Sequence, residues 1–267
     1  MLALALANVV HGAAWAQDGG LDAADAALDA GDFARAEGLV RTALRRSPRD
    51  PRAHRTLGHA LIGLGRMADA RTALQEAVRL APDDSAARSD LATVLLALGD
   101  REGALSHLDR AAASPGATAE VHSNRGTLLA AAGRALDAVA AYREAVRLAP
   151  DDARNHNDLA TALLRAGETA EATREVRRAL QLDPRSAAAW NNLGFLRMLR
   201  VCLPQAEHAL RRALEIDADH LSARLNLGTV LLQLGRRPEA AAEFREILRR
   251  APDHERARAG LVEAERR

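Results

Sequence analysis

The stretch that decides the fold runs from Ala153 to Ser186 and reads ARNHNDLATALLRAGETAEATREVRRALQLDPRS. Apolar residues recur three and four positions apart on both sides of its central glycine, which predicts two amphipathic helices. Gly167 can adopt the left-handed conformation that ends a helix, and Pro184 cannot continue one. The stretch therefore predicts a helix, a tight turn, a second helix and a turn into whatever follows.

The same pattern recurs along the chain every 34 residues. A pair of residues, usually apolar then small, repeats at this interval, and an alanine follows each pair twelve positions later. The pairs are Leu57-Gly58, Leu91-Ala92, Arg125-Gly126, Leu159-Ala160, Leu193-Gly194 and Leu227-Gly228. The phase predicts seven units: 17–50, 51–84, 85–118, 119–152, 153–186, 187–220 and 221–254. A unit of this size cannot bury its apolar face alone, so the units must stack, and residues 255–267 are predicted to form a C-terminal capping helix.

The residues Trp190, Leu193, Gly194, Ala206 and Ala213 carry a pattern that resembles the tetratricopeptide repeat. The resemblance covers 17–254 and implies an all-α fold, a right-handed α-α superhelix (solenoid) of stacked helix-turn-helix repeats. It also implies a non-catalytic scaffold that binds peptide or protein segments in a concave groove. A substrate-presenting accessory region of an enzyme such as a glycosyltransferase is the alternative.

Composition argues against several classes of function. The chain has 37 basic and 36 acidic residues, and this near balance disfavours binding to nucleic acid through a general positive field. Every basic residue is arginine, so there is no Schiff-base or phosphate-loop lysine. With one cysteine, Cys202, there is no intrachain disulfide. Asp90 and Asp158 have no histidine at a fitting position beside them, and we expect no enzyme activity, cofactor or metal site.

Residues 1–16 differ from the rest of the chain because they contain no Asp, Glu or Arg. An apolar run from Leu2 to Val10 is followed by Ala14 and Ala16, the small residues that a signal peptidase accepts. The run is too short to span a bilayer. We therefore expect a signal peptide cleaved after Ala16 and a periplasmic or secreted protein. With such a signal the chain resembles periplasmic repeat proteins of bacteria, which implies a role in envelope assembly or secretion. The missing positive charge at the start leaves a cytoplasmic protein as the alternative.

The first helix of each unit carries a second stripe, which the helix pairing does not use. One series lies just before the apolar–small pair, and the other lies three residues further along. Short polar side chains dominate both, and such side chains can bond to a peptide backbone. The predicted groove residues are Asp90, Thr93, Asn124, Thr127, Asp158, Thr161, Asn192, Phe195, Asn226 and Thr229. The other interpretation is that these side chains simply solvate an exposed face.

The sixth unit departs from the pattern at three points. Arg197 occupies an apolar position, Val201 and Cys202 stand where the turn glycine is expected, and Ala218 replaces the closing proline. These departures are either tolerated drift or the mark of a local contact or bend. The expected partner is a protein or peptide, with self-association also open, and the sequence does not identify it.

Overall fold

The computed structural model describes residues 20–266, and the predicted signal peptide lies outside this range. Helix α1 covers 20–29 of the described residues. The helices that follow are α2 (Phe33–Arg46), α3 (Pro51–Gly63), α4 (Met67–Leu80), α5 (Ser85–Ala97), α6 (Arg101–Ala113), α7 (Ala119–Ala131), α8 (Ala135–Leu148), α9 (Ala153–Ala166), α10 (Thr169–Leu182), α11 (Ala187–Leu199), α12 (Leu203–Ile216), α13 (Leu221–Gln233), α14 (Arg237–Arg250) and α15 (Glu255–Glu265). The described part of the chain contains no strand, and the predicted all-α solenoid class is confirmed.

The helix ends lie where Gly, Pro and short acidic residues predict them. All six mid-unit glycines have positive φ, from 73° to 87°, and each lies at the turn between a first and a second helix. Asp84 accepts hydrogen bonds from the first backbone N–H groups of α5, and Asp152 does the same for α9. Such a cap satisfies donors that have no partner within the helix.

The chain divides into two compact units, Met1–Leu128 and Leu129–Arg267, with the division inside α7. In the first unit the core is a run of buried leucines on successive helices, such as Leu61, Leu74, Leu91 and Leu108. Small residues let the paired helices approach. A Cβ added at Gly58 would lie 2.6 Å from Cγ of Leu74, so nothing larger than glycine fits there without displacing a neighbour.

The second unit repeats this arrangement with its own core. Leu210, Leu231, Phe244 and Ile247 are fully buried, and α15 packs against both α13 and α14. A Cβ added at Gly260 on α15 would lie 2.5 Å from the ring of Phe244. The last helix therefore covers an aromatic side chain that would otherwise face water.

In five of the seven repeats, one position in the first helix secures the turn that precedes it. His54, Arg88, His156, Trp190 and Arg224 each bond through a side-chain nitrogen to the carbonyl oxygen six residues earlier, at distances of 2.7–2.9 Å. Three side-chain types share this position because each presents an N–H group at a similar reach. His54 and His156 therefore hold turns together.

Candidate functional site

The candidate site consists of two series of side chains on the first helices of the repeats, which we call the ladder. The first series is Asp22, Thr56, Asp90, Asn124, Asp158, Asn192 and Asn226. The second series is Asp25, His59, Thr93, Thr127, Thr161, Phe195 and Thr229. In the second unit α11 packs beside both α9 and α13, so the ladder residues of three repeats are neighbours there.

In the second unit amide groups connect one repeat to the next. Asn192 Nδ2 donates to Asn157 Oδ1 at 2.8 Å and to Thr161 Oγ1 at 3.0 Å. One repeat further on, Asn226 Nδ2 donates to Asn191 Oδ1 at 2.9 Å. The spacing of 31 or 35 residues follows from the 34-residue period, which brings these positions of adjacent helices side by side. These bonds fix the orientation of the amides.

The asparagine amides keep hydrogen-bonding capacity after these contacts. An amide offers two N–H donors and an oxygen with two lone pairs. Among the bonds of residues 20–266, none occupies Asn191 Nδ2 or the second N–H of Asn226, and none occupies the oxygens of Asn192 and Asn226. All three side chains are partly exposed. Donors and acceptors thus both remain on α11 and α13, on amides that the bonds between repeats hold in place.

The threonines of the second series contribute acceptors only. The hydroxyls of Thr93, Thr127, Thr161 and Thr229 each donate to the backbone carbonyl four residues earlier in the same helix, at 3.0–3.1 Å. A hydroxyl has a single hydrogen, so its remaining capacity lies in its lone pairs. The threonines can therefore accept from a bound N–H group but cannot donate to a bound carbonyl.

In the first unit the ladder carboxylates form ion pairs. Arg52 pairs with Asp22 at 2.9 Å and with Asp25 at 2.7 Å. Asp90 accepts from Arg55 Nε at 2.6 Å and contacts His59 Nε2 at 2.7 Å. Burial by itself would raise the pKa of Asp90, but the hydrogen bonds and charges of His59 and Arg55 hold that pKa below its usual value.

The expectation that no histidine lies beside Asp90 is therefore wrong. His59 and Asp90 are 31 residues apart, so no local spacing reveals the pair. They meet because stacking places the second-series residue of one repeat next to the first-series residue of the following repeat. The carboxylate of Asp90 already has two partners within the chain, and an external ligand would have to compete with them.

Asp158 differs from Asp90 although both belong to the first series. Burial raises the pKa of Asp158, and a hydrogen bond from Asn157 opposes this effect only in part. Phe195, in the second series, is partly buried and adds an apolar surface among the amides. The second unit therefore combines amides, one carboxylate and one ring on neighbouring helices.

The structure places the predicted site residues in two groups. Asp90, Thr93, Asn124 and Thr127 belong to the first unit, whereas the second unit holds Asp158, Thr161, Asn192, Phe195, Asn226 and Thr229. Sequence reasoning missed Asn157 and Asn191, which receive the bonds from the next repeat. Their signal was the recurrence of asparagine at this position, 34 residues apart and directly before a first-series residue.

Two further observations limit the chemistry of the described residues. No group of three or more His, Cys, Asp or Glu side chains in residues 20–266 is placed to hold a metal ion. The two nitrogens of the His156 ring contact Glu175 and the Pro150 carbonyl, at 2.7 and 2.9 Å. Because both nitrogens are occupied, His156 cannot serve as a general base in this arrangement.

The chain belongs to the tetratricopeptide repeat family. One tetratricopeptide repeat model matches residues 21–85 and 89–153, and a second matches residues 129–194 and 203–264. Comparison with curated protein sequences finds no significant match. Repeats of this family are typical of non-catalytic scaffolds that bind proteins or peptides. Every helix within residues 20–266 is too short or too polar to cross a lipid bilayer.

Several solved structures share the fold. The Cut9–Hcn1 hetero-tetramer of APC/C is similar with a TM-score of 0.73 and 18% identity over 91% of this chain. This chain spans 48% of that protein, about half its length. PilF of Pseudomonas aeruginosa has a TM-score of 0.68 and 21% identity, covering 82% of this chain and 99% of PilF. YrrB, a tetratricopeptide repeat protein with an unusual peptide-binding site, has a TM-score of 0.61 and 19% identity, covering 69% of this chain and 95% of YrrB.

Proposed function

We propose that the chain is a non-catalytic scaffold whose second unit binds an extended segment of a partner protein along the ladder. The observation that carries this proposal is the unused hydrogen-bonding capacity of Asn191, Asn192 and Asn226. An extended peptide presents N–H and C=O groups in alternation and needs donors and acceptors together. The bonds between repeats hold these amides in place, so little side-chain freedom is lost on binding.

The first unit is less suited to this role. Its ladder carboxylates are paired with Arg52, Arg55 and His59, so a peptide would have to displace existing ion pairs. Asn124 and Thr127 lie at the end of that unit and remain predicted groove residues. We therefore assign the main contact to α9, α11 and α13, with Phe195 receiving an apolar side chain of the partner.

The experiment is a selection of 12-residue peptides from a random phage-displayed library against the full chain. Peptides that bind are then titrated against Asn191→Ala, Asn226→Ala and the double variant. Each amide bond to a peptide backbone is worth about 1 kcal/mol net, so each single variant should bind several-fold more weakly. Asn191 and Asn226 bond to each other, so the double variant should lose more than either single variant but no more than about thirty-fold. Gln181→Ala removes an exposed amide on α10 outside the ladder and should bind like the parent.

The outcome also tests the mode of recognition. If the backbone is the main ligand, peptides with different side chains should all depend on the same two asparagines. Selected peptides that bind the double variant as tightly as the parent would place the binding surface elsewhere and reduce the ladder to a solvated face. Affinity capture from the organism that produces the chain then identifies the natural partner.

We further propose that this scaffold acts in envelope assembly or secretion, after export. Support comes from the charge-free apolar segment before Ala14 and Ala16, which lies outside the described residues. The intact mass of the exported protein should correspond to a chain that begins at Gln17. A full-length chain recovered from the cytosol would argue for a cytoplasmic scaffold instead.

A further inference from the structure

The sixth repeat carries a cleft that lies apart from the ladder. It has a volume of about 420 Å³ and is lined by α11 and α12, with Trp190, Leu193 and Arg197 on one side and Pro204 and His208 on the other. The Trp190 ring meets His208 edge to face, with centroids 6.4 Å apart. Its Nε1 donates to the Pro184 carbonyl at 2.9 Å. The ring is therefore fixed while part of it stays accessible.

The second repeat has a cleft at the equivalent position, and the two clefts differ in how their charged side chains are paired. The position of Arg197 is occupied there by Leu61, which is buried. The charged side chains of that cleft are paired within the chain, as Arg79 is with Glu76 at 2.6 Å. Within residues 20–266, by contrast, no hydrogen bond or ion pair engages the guanidinium of Arg197.

The charge of the sixth-repeat cleft has one sign. Among residues 20–266 no carboxylate lines it, and Arg197 shares the lining with Trp190 and Leu193. A partly desolvated guanidinium without an anion binds a carboxylate well, because two parallel N–H groups can engage both oxygens. The cleft is thus complementary to one acidic side chain with an apolar neighbour.

The turn that joins the two walls of this cleft supplies a second, independent observation. Val201 has φ of 56° at the position where the other turns have glycine, and its exposed fraction is 76%. A β-branched residue in this region is strained. Leu199, two residues earlier, is 54% exposed. Strained backbone is common at ligand contacts, and exposed apolar side chains beside a cleft suit a protein partner.

We propose that the sixth-repeat cleft is a second docking site, for a partner-protein segment that carries a glutamate or aspartate next to apolar residues. The carboxylate pairs with Arg197, and the apolar side chains pack on Trp190 and on the Leu199–Val201 turn. A phosphate backbone would need several cations in a row, and the cleft offers one. This site does not depend on the ladder.

The test uses the full chain with Trp15→Phe, which leaves Trp190 as its only tryptophan. The probe is the peptide acetyl-Ala-Leu-Glu-Leu-Ala-amide, with the Gln analogue of its Glu and inorganic phosphate as comparisons. We expect a saturable change of Trp190 emission with the Glu peptide and at least roughly tenfold weaker binding of the Gln peptide. Arg197→Leu, which introduces the side chain of the second repeat, should lose about tenfold in affinity, and Arg197→Lys should lose less.

Two control variants distinguish binding in this cleft from binding elsewhere on the chain. Arg200→Leu removes a neighbouring positive charge that does not line the cleft, and Gln181→Ala alters an exposed amide on α10 outside both the cleft and the ladder. Both variants should bind the Glu peptide like the parent. Equal binding of the Glu and Gln peptides, or full binding by a folded Arg197→Leu, would overturn the proposal. So would an equal response to phosphate, which indicates a generic anion site, or no saturable change up to about 10 mM peptide.

Discussion

Asn192→Ala tests whether the ladder joins the repeats as well as facing a ligand. The substitution removes both N–H donors that contact Asn157 Oδ1 at 2.8 Å and Thr161 Oγ1 at 3.0 Å. These groups are partly exposed, so water replaces part of each bond. At a net value of about 0.5–1.5 kcal/mol per bond, the free energy of unfolding should fall by roughly 1–2 kcal/mol.

Two measurements check this prediction. Urea unfolding gives the overall loss, and hydrogen exchange of the α11 amides gives the local one, since a loss of about 1.4 kcal/mol raises an opening constant about tenfold. Asn226→Ala removes a single bond and should cost about half as much. Gln181→Ala, on the exposed side of α10, should stay within about 0.5 kcal/mol of the parent.

A double-mutant cycle with Asn157→Ala identifies the origin of any loss. If the bond between the two amides is responsible, the double variant should lose less than the sum of the single variants. A loss for Asn192→Ala no larger than that for Gln181→Ala, or strict additivity in the cycle, would refute the reasoning. The bond between Asn192 and Asn157 would then contribute nothing to stability, and Asn192 could be altered freely in binding experiments.

Packing, backbone conformation and charge each give one further prediction. Gly194→Ala should lower the free energy of unfolding by about 1–3 kcal/mol, because its Cβ would lie 2.6 Å from Cγ of the fully buried Leu210. Gly38 has open space around it, so Gly38→Ala should raise the free energy of unfolding by up to about 1 kcal/mol. Urea unfolding measures both changes. Val201→Gly should raise stability by about 1 kcal/mol in the same assay by relieving the left-handed strain, and no gain would mean that the turn is unstrained. Burial, together with nearby arginine charges, lowers the pKa of His107. The unfolded chain therefore takes up this proton first as pH falls below about 6.5, and stability should decline from there. His107→Gln should flatten that part of the profile of Tm against pH.

The ladder illustrates how far the sequence could predict the site. The 34-residue phase was enough to place Asn192 and Asn226 on equivalent faces of successive first helices. The phase did not show that these amides bond to Asn157 and Asn191, because residues 31 and 35 apart become neighbours only when the repeats stack. The same stacking joins His59 to Asp90, which no local spacing indicated.

The sequence by itself determined the secondary structure and the stacking of this protein. Helix ends depend on Gly, Pro and capping residues, and close helix pairing depends on small side chains, so these features can be identified along the chain without knowledge of distant contacts. Tertiary structure decided which polar groups retain capacity for a ligand. Within residues 20–266 it pairs ladder carboxylates of the first unit, leaves asparagine amides partly unused in the second, and brings no carboxylate to the guanidinium of Arg197. The physical reason is that hydrogen bonding and ion pairing depend on which atoms meet in space, and in this solenoid those atoms belong to different repeats.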